Sequence, residues 1–512
     1  MNKKVGTRAL SLSRRDFLRL SGLAAGSALL NAACQASPIL APTLTPAASP
    51  AANPAATSTA TPLSRATATA TPAAANINPV VAPSPTVVAP TPTAVVAPPR
   101  NIIWIGVDAV RADHVSSYGY ARPTTPNLDA WIGQQGVHFQ NATTVTPWTF
   151  PASAAMMTGR TPSAYGLDWD HTTLPSKART LAEYLRAAGY YTVGVVTAPF
   201  VRAKNGFSQG FDIYEDRLTY ERPNSYRGQA NELNNLALNW LARSSVPGKR
   251  PLFLYLYYFD PHTWYNPMPP YDTLYDPDYT GPVTAKVYAD GRDTTEGKVT
   301  PTARDVEHLL ALYDGEITYW DYYLGQMLTA LDKRKLLDQS LVIVTSDHGD
   351  MFGEHHLWTH GNCLYEDLLH VPLLMRFPGV IPPGLVVETP VQNMDVMPTI
   401  LDWAGIRVQE ELHAVSLRAL AQGASDVAAR DVFSELPGVT DPKNWAYWLA
   451  PRDHLFSIRR GPWKLIHHAN APQADELYQL NAASPYETEN LISSQADLAG
   501  KLRQAVREHF GL

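Results

Sequence analysis

Cysteine is scarce in this chain. Its two cysteines, Cys34 and Cys363, exclude a disulfide framework and a cysteine-rich zinc site. A basic excess is missing too: 41 Lys and Arg stand against 47 Asp and Glu, and the net charge of −6 leaves no footprint for nucleic acid. No internal repeat is visible. The apolar segment 20–33 is too short to span a bilayer comfortably. What is present in quantity is core-forming residue, 45% of 512 positions, enough for one large domain with appendages.

The first 34 residues read as a sorting signal. Ser13-Arg14-Arg15-Asp16-Phe17-Leu18 is a twin-arginine pattern, followed by the Ala/Leu-rich run 20–33. Leu30-Asn31-Ala32-Ala33-Cys34 resembles a bacterial lipoprotein cleavage box, with Asn31 where an aliphatic residue is usual. This implies export across the cytoplasmic membrane as a folded protein, an extracytoplasmic location, and a membrane tether through a lipid on Cys34. Residues 35–99 follow as a stalk. Fourteen prolines between 36 and 99, with Arg65 the only charge, forbid helix and ladder and leave little to bury. Extended as polyproline, at about 3.1 Å per residue, it reaches on the order of 200 Å.

From Arg100 onward, strand-like and helix-like runs alternate. Residues 101–107 (NIIWIGV), 190–197, 251–258 and 341–345 read as buried strands, and 181–188, 230–243 and 303–335 as helices. This alternation predicts an α/β fold with a mostly parallel central sheet and helices on both faces. Beyond residue 405 the pattern changes to a hairpin around Arg460-Gly461-Pro462 and a terminal helix at 495–509, a smaller α+β subdomain. The predicted organisation is signal 1–34, stalk 35–99, catalytic domain 100–405 and C-terminal subdomain 406–512.

Strand ends deliver Asp108, His262 (after Asp260-Pro261) and the pair Asp347-His348 to one edge of that sheet, where ligands bind in open α/β folds. Adjacent acid and imidazole suit one divalent metal. Thr149 sits in a turn just before a small-residue helix predicted at 152–158, a position suited to an anion or an alkoxide. His360 follows shortly after His348. His355 and His356 read as surface or supporting residues, and Arg111 as a group that pairs with Asp108 or Asp113 or neutralises substrate charge.

With these pieces placed, the chain resembles the sulfatase family of the alkaline phosphatase superfamily from Arg100 to about Asn490. The resemblance rests on VDAVRADHVSSYGY (107–120), TPNLD (125–129), FPASAAMMTGR (150–160) and DPHTWYNPMPPY (260–271). YDGEITYWD (313–321), TSDHGDMFGEHHLW (345–358), LYEDLLHVPLL (364–374) and WKLIHH (463–468) extend it. It implies an alkaline-phosphatase-like fold, with Asp108, Thr149, Asp347 and His348 as metal ligands. Thr149 also takes the nucleophile position, and His262 and His360 contact the transferred anion or protonate the leaving group. His360 stands where many sulfatases carry lysine.

Departures from the family pattern shape the expected chemistry. Sulfatases of the main group convert a cysteine within Cys-x-Pro-x-Arg to formylglycine. Here the segment reads Thr149-Phe150-Pro151-Ala152-Ser153, and Cys363 lies in an unrelated context. The expectation is therefore no formylglycine, and two carboxylates, one imidazole and one alkoxide suit one divalent metal, zinc, manganese or magnesium, better than calcium. The acidic pair of relatives is reduced to Asp108-Ala109, and their Lys-Trp-His motif is not recognisable at 198–204 (APFVRAK). Threonine nucleophiles beside an Asp-His pair resemble phosphodiesterases, phosphonate monoester hydrolases and phosphoglycerol transferases of the same superfamily.

The expected function is hydrolysis of a sulfate ester, phosphate (di)ester or phosphonate through a metal-activated threonine. The substrate is an anionic ester, either a small molecule or a surface glycan. The alternatives are a phosphoalcohol transferase acting on surface glycans and an inactive lipoprotein that binds anionic glycans. Oligomeric state is not legible.

Overall fold

In the computed structural model, the apolar run Asn101–Val107 forms β1 at the centre of an eight-stranded sheet, with every residue buried. The structure describes residues 97–221, 229–243, 249–262, 264–283, 292–425, 427–480 and 486–512. The signal, the stalk up to residue 96 and Cys34 lie outside the described residues. The other strands are β2 (Val137–Phe139), β3 (Tyr191–Val196), β4 (Ile213–Glu215), β5 (Leu252–Tyr258), β6 (Ser340–Ser346), β7 (Leu373–Arg376) and β8 (Leu385–Val387). Their order is β8-β2-β7-β6-β1-β5-β3-β4. The pairs from β6 to β4 are parallel, as is β8 with β2, while β7 runs antiparallel to both β6 and β2. The sheet is thus mixed. The turnaround at β7, outside the predicted strands, brings Leu373–Arg376 back alongside β6.

Both faces of the sheet are covered, which is why its central strands are continuously apolar rather than alternating. Ile102 and Trp104 of β1 pack on one side with α1 (Thr149–Thr158), α2 (Leu181–Ala187) and α5 (Val396–Trp403). Ile103, Ile105 and Val107 pack on the other with α3 (Ala230–Arg243) and α4 (Ala303–Lys333). Helix α4 opens with a capping box between Thr302 and Asp305, and α2 with one between Thr180 and Glu183, so the first free N–H groups of each are satisfied.

The C-terminal hairpin is observed as β10 (Leu455–Arg460) and β11 (Trp463–His468). With β9 (Val432–Leu436) and β12 (Glu476–Gln479) it makes a four-stranded antiparallel sheet. Helix α6 (Ala496–Phe510) covers it, burying Leu502 and Val506 against Ile458, Leu465 and Leu477. The subdomain is keyed to the segments around the main sheet by polar contacts, among them Lys464 to Glu366 and Ser163 N to Glu435. Among the described residues no helix is long and apolar enough to cross a membrane.

Candidate functional site

Register assembles the site. Val107 of β1 pairs with Ser346 of β6, so the next residues, Asp108 and Asp347, leave two adjacent parallel strands side by side. Asp108, Asp347 and His348 are all fully buried, and one ligand atom from each lies within 4.8 Å of the others. Helix α1 brings up Thr149, whose Oγ1 is 3.2 Å from His348 Nε2. The helix begins at Thr149 rather than at Ala152, so this residue is in the first turn and not ahead of it. Pro151 is accommodated there because the first N–H groups of a helix lack partners within it.

The tautomer of His348 follows from its neighbours. Nδ1 lies 2.8 Å from the Gly349 carbonyl, which can only accept, so Nδ1 carries the hydrogen and Nε2 presents a lone pair. That nitrogen is 3.6 Å from Asp108 Oδ1 and 3.5 Å from Asp347 Oδ2. Burial holds the imidazole below its ordinary pKa, which favours the neutral ligand form. Asp347 is fixed on all sides: Oδ1 accepts from the Ala109 and His348 amides at 3.2 and 2.9 Å, and Oδ2 from the Tyr257 hydroxyl at 2.7 Å. Neither oxygen of Asp108 makes a hydrogen bond of ordinary geometry. Burial raises its carboxyl well above the usual range, the charges of Asp347 and Asp350 add to the rise, and the nearby Thr149 hydroxyl opposes it.

A buried carboxylate pair with an unsatisfied member is costly by itself. Two carboxylates and a neutral imidazole balance the charge of one divalent cation and offer it compatible donors. The residues present therefore fit a metal.

His360 and His262 lie beside this cluster. The His360 ring centroid is 4.3 Å from that of His348 and 4.9 Å from that of His262. His360 Nδ1 donates to Asp350 Oδ1 at 3.1 Å, and Asp350 also accepts from Tyr265 at 2.6 Å. Burial pushes the Asp350 carboxyl up, but the charges of His360 and His262 and these hydrogen bonds outweigh it, holding its pKa near about 2. The structure thus brings together all six residues expected from the sequence. Arg111 does not face the cleft: it is buried between Asp113, Glu354 and Asp367, and donates to the Asp350 carbonyl.

Several supporting residues escaped sequence reasoning. Tyr257 is one, although its partner across the ladder, Gly106, carried a signal. A Cβ on Gly106 would come within 2.6 Å of the Tyr257 ring. Glycine inside an apolar strand marks such a close approach. Gly349 is required for a similar reason, since a Cβ there would sit 2.1 Å from the Asp367 carbonyl oxygen. Asp350 was visible within the Asp-His-Gly-Asp run, but not as the orienter of His360.

Two recesses meet at Thr149 and His262. A cleft of about 480 Å³ carries Arg202, Lys204 and Asn205 on its wall. A narrower pocket of about 160 Å³ is walled by Trp148, Trp169, Phe200, Trp264, Trp445 and Trp448, with His360 also lining it. Trp148 stacks on Trp169 at 4.1 Å, and the indole N–H groups of Trp169 and Trp445 are spent on backbone carbonyls. This second wall is apolar and largely preassembled.

The Sulfatase family model matches residues 100–406, and the model for the C-terminal region of N-sulphoglucosamine sulphohydrolase matches 353–509. Choline-sulfatase of Rhizobium meliloti is 29% identical, over 72% of this chain and 78% of that protein. An arylsulfatase of Clostridium perfringens is 25% identical over 73% and 91%, and an N-acetylglucosamine-6-O-sulfatase of Bacteroides thetaiotaomicron is 22% identical over 80% and 85%. Among solved structures, phosphonate monoester hydrolase SpPMH from Silicibacter pomeroyi superposes with a TM-score of 0.65 at 24% identity, covering 80% of this chain and 94% of that one. BT4656, solved with D-glucosamine-2-N,6-O-disulfate, gives 0.67 at 21% identity over 80% and 97%.

These findings correct one expectation. The exclusion of formylglycine rested on the local motif around Thr149, and one position does not define the class of a site. The arylsulfatase and N-acetylglucosamine-6-O-sulfatase relatives place the chain with sulfatases that typically use formylglycine and a metal, and the exclusion is withdrawn.

Proposed function

Because this chain belongs to the sulfatase family and is a sulfuric or phosphoric ester hydrolase acting on a small-molecule or glycan ester, we propose that Thr149 is its nucleophile and Asp108, Asp347 and His348 its metal ligands. The observation that carries this reading is the convergence of those four side chains on one buried point, with Thr149 Oγ1 3.2 Å from the bare Nε2 of His348. A divalent cation held there would supply positive charge beside the hydroxyl and the transferring oxyanion. Thr149 Oγ1 passes its proton to water in the cleft and forms the bond to sulfur or phosphorus as the bond to the leaving oxygen breaks. His360 and His262 bring a proton to that oxygen. For His360, the bond from Nδ1 to Asp350 reserves Nε2 for this task. Water then bonds to sulfur or phosphorus as the bond to Thr149 Oγ1 breaks, one of its protons restoring the hydroxyl and the other leaving with the freed acid.

The aromatic pocket beside Thr149 suits a leaving alcohol with an apolar or cationic face, because tryptophan faces attract both. The choline-sulfatase relative makes choline sulfate a natural member of the test panel. The twin-arginine pattern at Arg14-Arg15 and the Cys34 box support a reaction outside the cytoplasmic membrane on a tethered protein. The test is a panel of matched sulfate esters, phosphate mono- and diesters and phosphonates, with wild type and Thr149→Ala. Loss of all turnover in the variant is expected; near-native rates would overturn the nucleophile assignment.

A further inference from the structure

Arg111 leads from the catalytic loop to a second convergence of ligand-type groups. His355, Asp367 and Glu487 each present one such atom, all within 4.8 Å of one another. Asp367 and Glu487 are 3% and 2% exposed. Asp367 Oδ1 accepts from Arg111 at 2.9 Å, while Oδ2, also buried, has no hydrogen-bond partner. Glu487 accepts from Lys464 at 2.6 Å and from the Glu366 amide at 3.1 Å, which leaves lone pairs to spare on its two oxygens. His355 is exposed, and its ring is set by stacking on Tyr365 at 3.8 Å. Among the described residues neither of its ring nitrogens is spent in a hydrogen bond.

Charge points the same way. The ion-pair network around the cluster holds five carboxylates, Asp113, Glu354, Glu366, Asp367 and Glu487. It holds three cations, Arg111, Arg459 and Lys464. An excess of two negative charges in a largely buried region is matched by one divalent ion. One imidazole with two carboxylates favours zinc-type ions over calcium, and the exposed His355 provides the route in.

We propose that His355, Asp367 and Glu487 form a second divalent-cation site, separate from Asp108, Asp347 and His348. Such an ion ties the segment after the catalytic Asp347-His348 pair to the C-terminal subdomain through Glu487. It also sets Asp367 against Arg111, which in turn holds the Asp350 carbonyl.

The test is zinc titration of the purified, metal-stripped chain by calorimetry, with bound zinc counted by elemental analysis. Wild type is expected to bind one more equivalent than His355→Ala, or to bind it at least about tenfold more tightly. Asp108→Asn is expected to lose a different equivalent. Glu487→Gln is expected to repeat the loss seen with His355→Ala. If His355→Ala and Glu487→Gln both bind zinc with wild-type stoichiometry and affinity, the second site does not exist. That result leaves the Thr149 assignment untouched, and the substrate panel leaves this one untouched.

Discussion

Replacing Tyr257 by phenylalanine removes one oxygen atom and one hydrogen bond, the 2.7 Å contact to Asp347 Oδ2. Both partners are fully buried, so no water takes the place of the hydroxyl. Hydrogen bonds to charged groups contribute about 1.5–3 kcal/mol. At about 1.4 kcal/mol per tenfold, the variant should lose roughly 10- to 150-fold in a property that depends on how Asp347 is held. If Asp347 is a metal ligand, that property is metal affinity, for which loss of an orienting partner typically costs about 10–100-fold. The assay is kcat/KM measured across a metal titration. Tyr257→Phe should shift the titration midpoint by one to two decades and recover most of kcat at saturating metal. Gly106→Ala should shift it the same way, because its Cβ would displace the Tyr257 ring, and should add about 1–3 kcal/mol of destabilisation from overpacking. Unchanged metal dependence in Tyr257→Phe would show that Asp347 needs no such support and would refute the reasoning.

Three further outcomes are expected. Trp445→Ala or Trp264→Ala should raise KM for esters of bulky or cationic alcohols far more than for small ones, in steady-state kinetics with paired substrates, because both indoles wall the narrow pocket. Burial pushes the Glu435 carboxyl up to about 7, against the opposing Ser163 amide. The folded state therefore holds this proton more tightly than the unfolded chain. The associated stability is fully present below about pH 4.5 and is lost as pH rises through about 7, a change on the order of 3 kcal/mol. Glu435→Gln should thus stabilise the protein at pH 8 and not at pH 4.5, as denaturant midpoints would report. Leu502→Ala, at a fully buried position of α6, should cost about 2–5 kcal/mol by chemical denaturation while leaving kcat of the folded enzyme unchanged.

How much of this was legible depended on whether a residue acts through its neighbours in sequence or in space. Asp108 and Asp347-His348 could be placed because the apolar stretches of two buried strands deliver them, and a parallel strand ends at its ligand edge. The Thr149 helix was visible from its small residues, but its first turn was misplaced because Pro151 reads as a boundary. Tyr257 looked like core, since nothing local distinguishes a tyrosine that fills space from one that donates to a carboxylate. The tryptophan wall draws on positions 148, 169, 264, 445 and 448, which only the tertiary fold brings together. His355 looked like surface for the same reason, as its partners Asp367 and Glu487 come from other segments. The antiparallel turn of β7 was hidden because a short apolar strand carries no mark of direction.

The pairing of Val107 with Ser346 has a consequence for how this protein tolerates change. The spacing between Asp108 and Asp347 is a property of a backbone ladder, set when two central strands align, and needs no contribution from the loops that wall the cleft. The carboxylate pair and the outer walls of the cleft therefore come from different parts of the chain. Exchanging residues 198–205 or 445–449 is expected to change substrate preference while the spacing of Asp108 and Asp347 is kept. A single-residue insertion within β1 or β6 would shift one carboxylate to the opposite face of the sheet, together with the core residues that precede it, and take the centre apart.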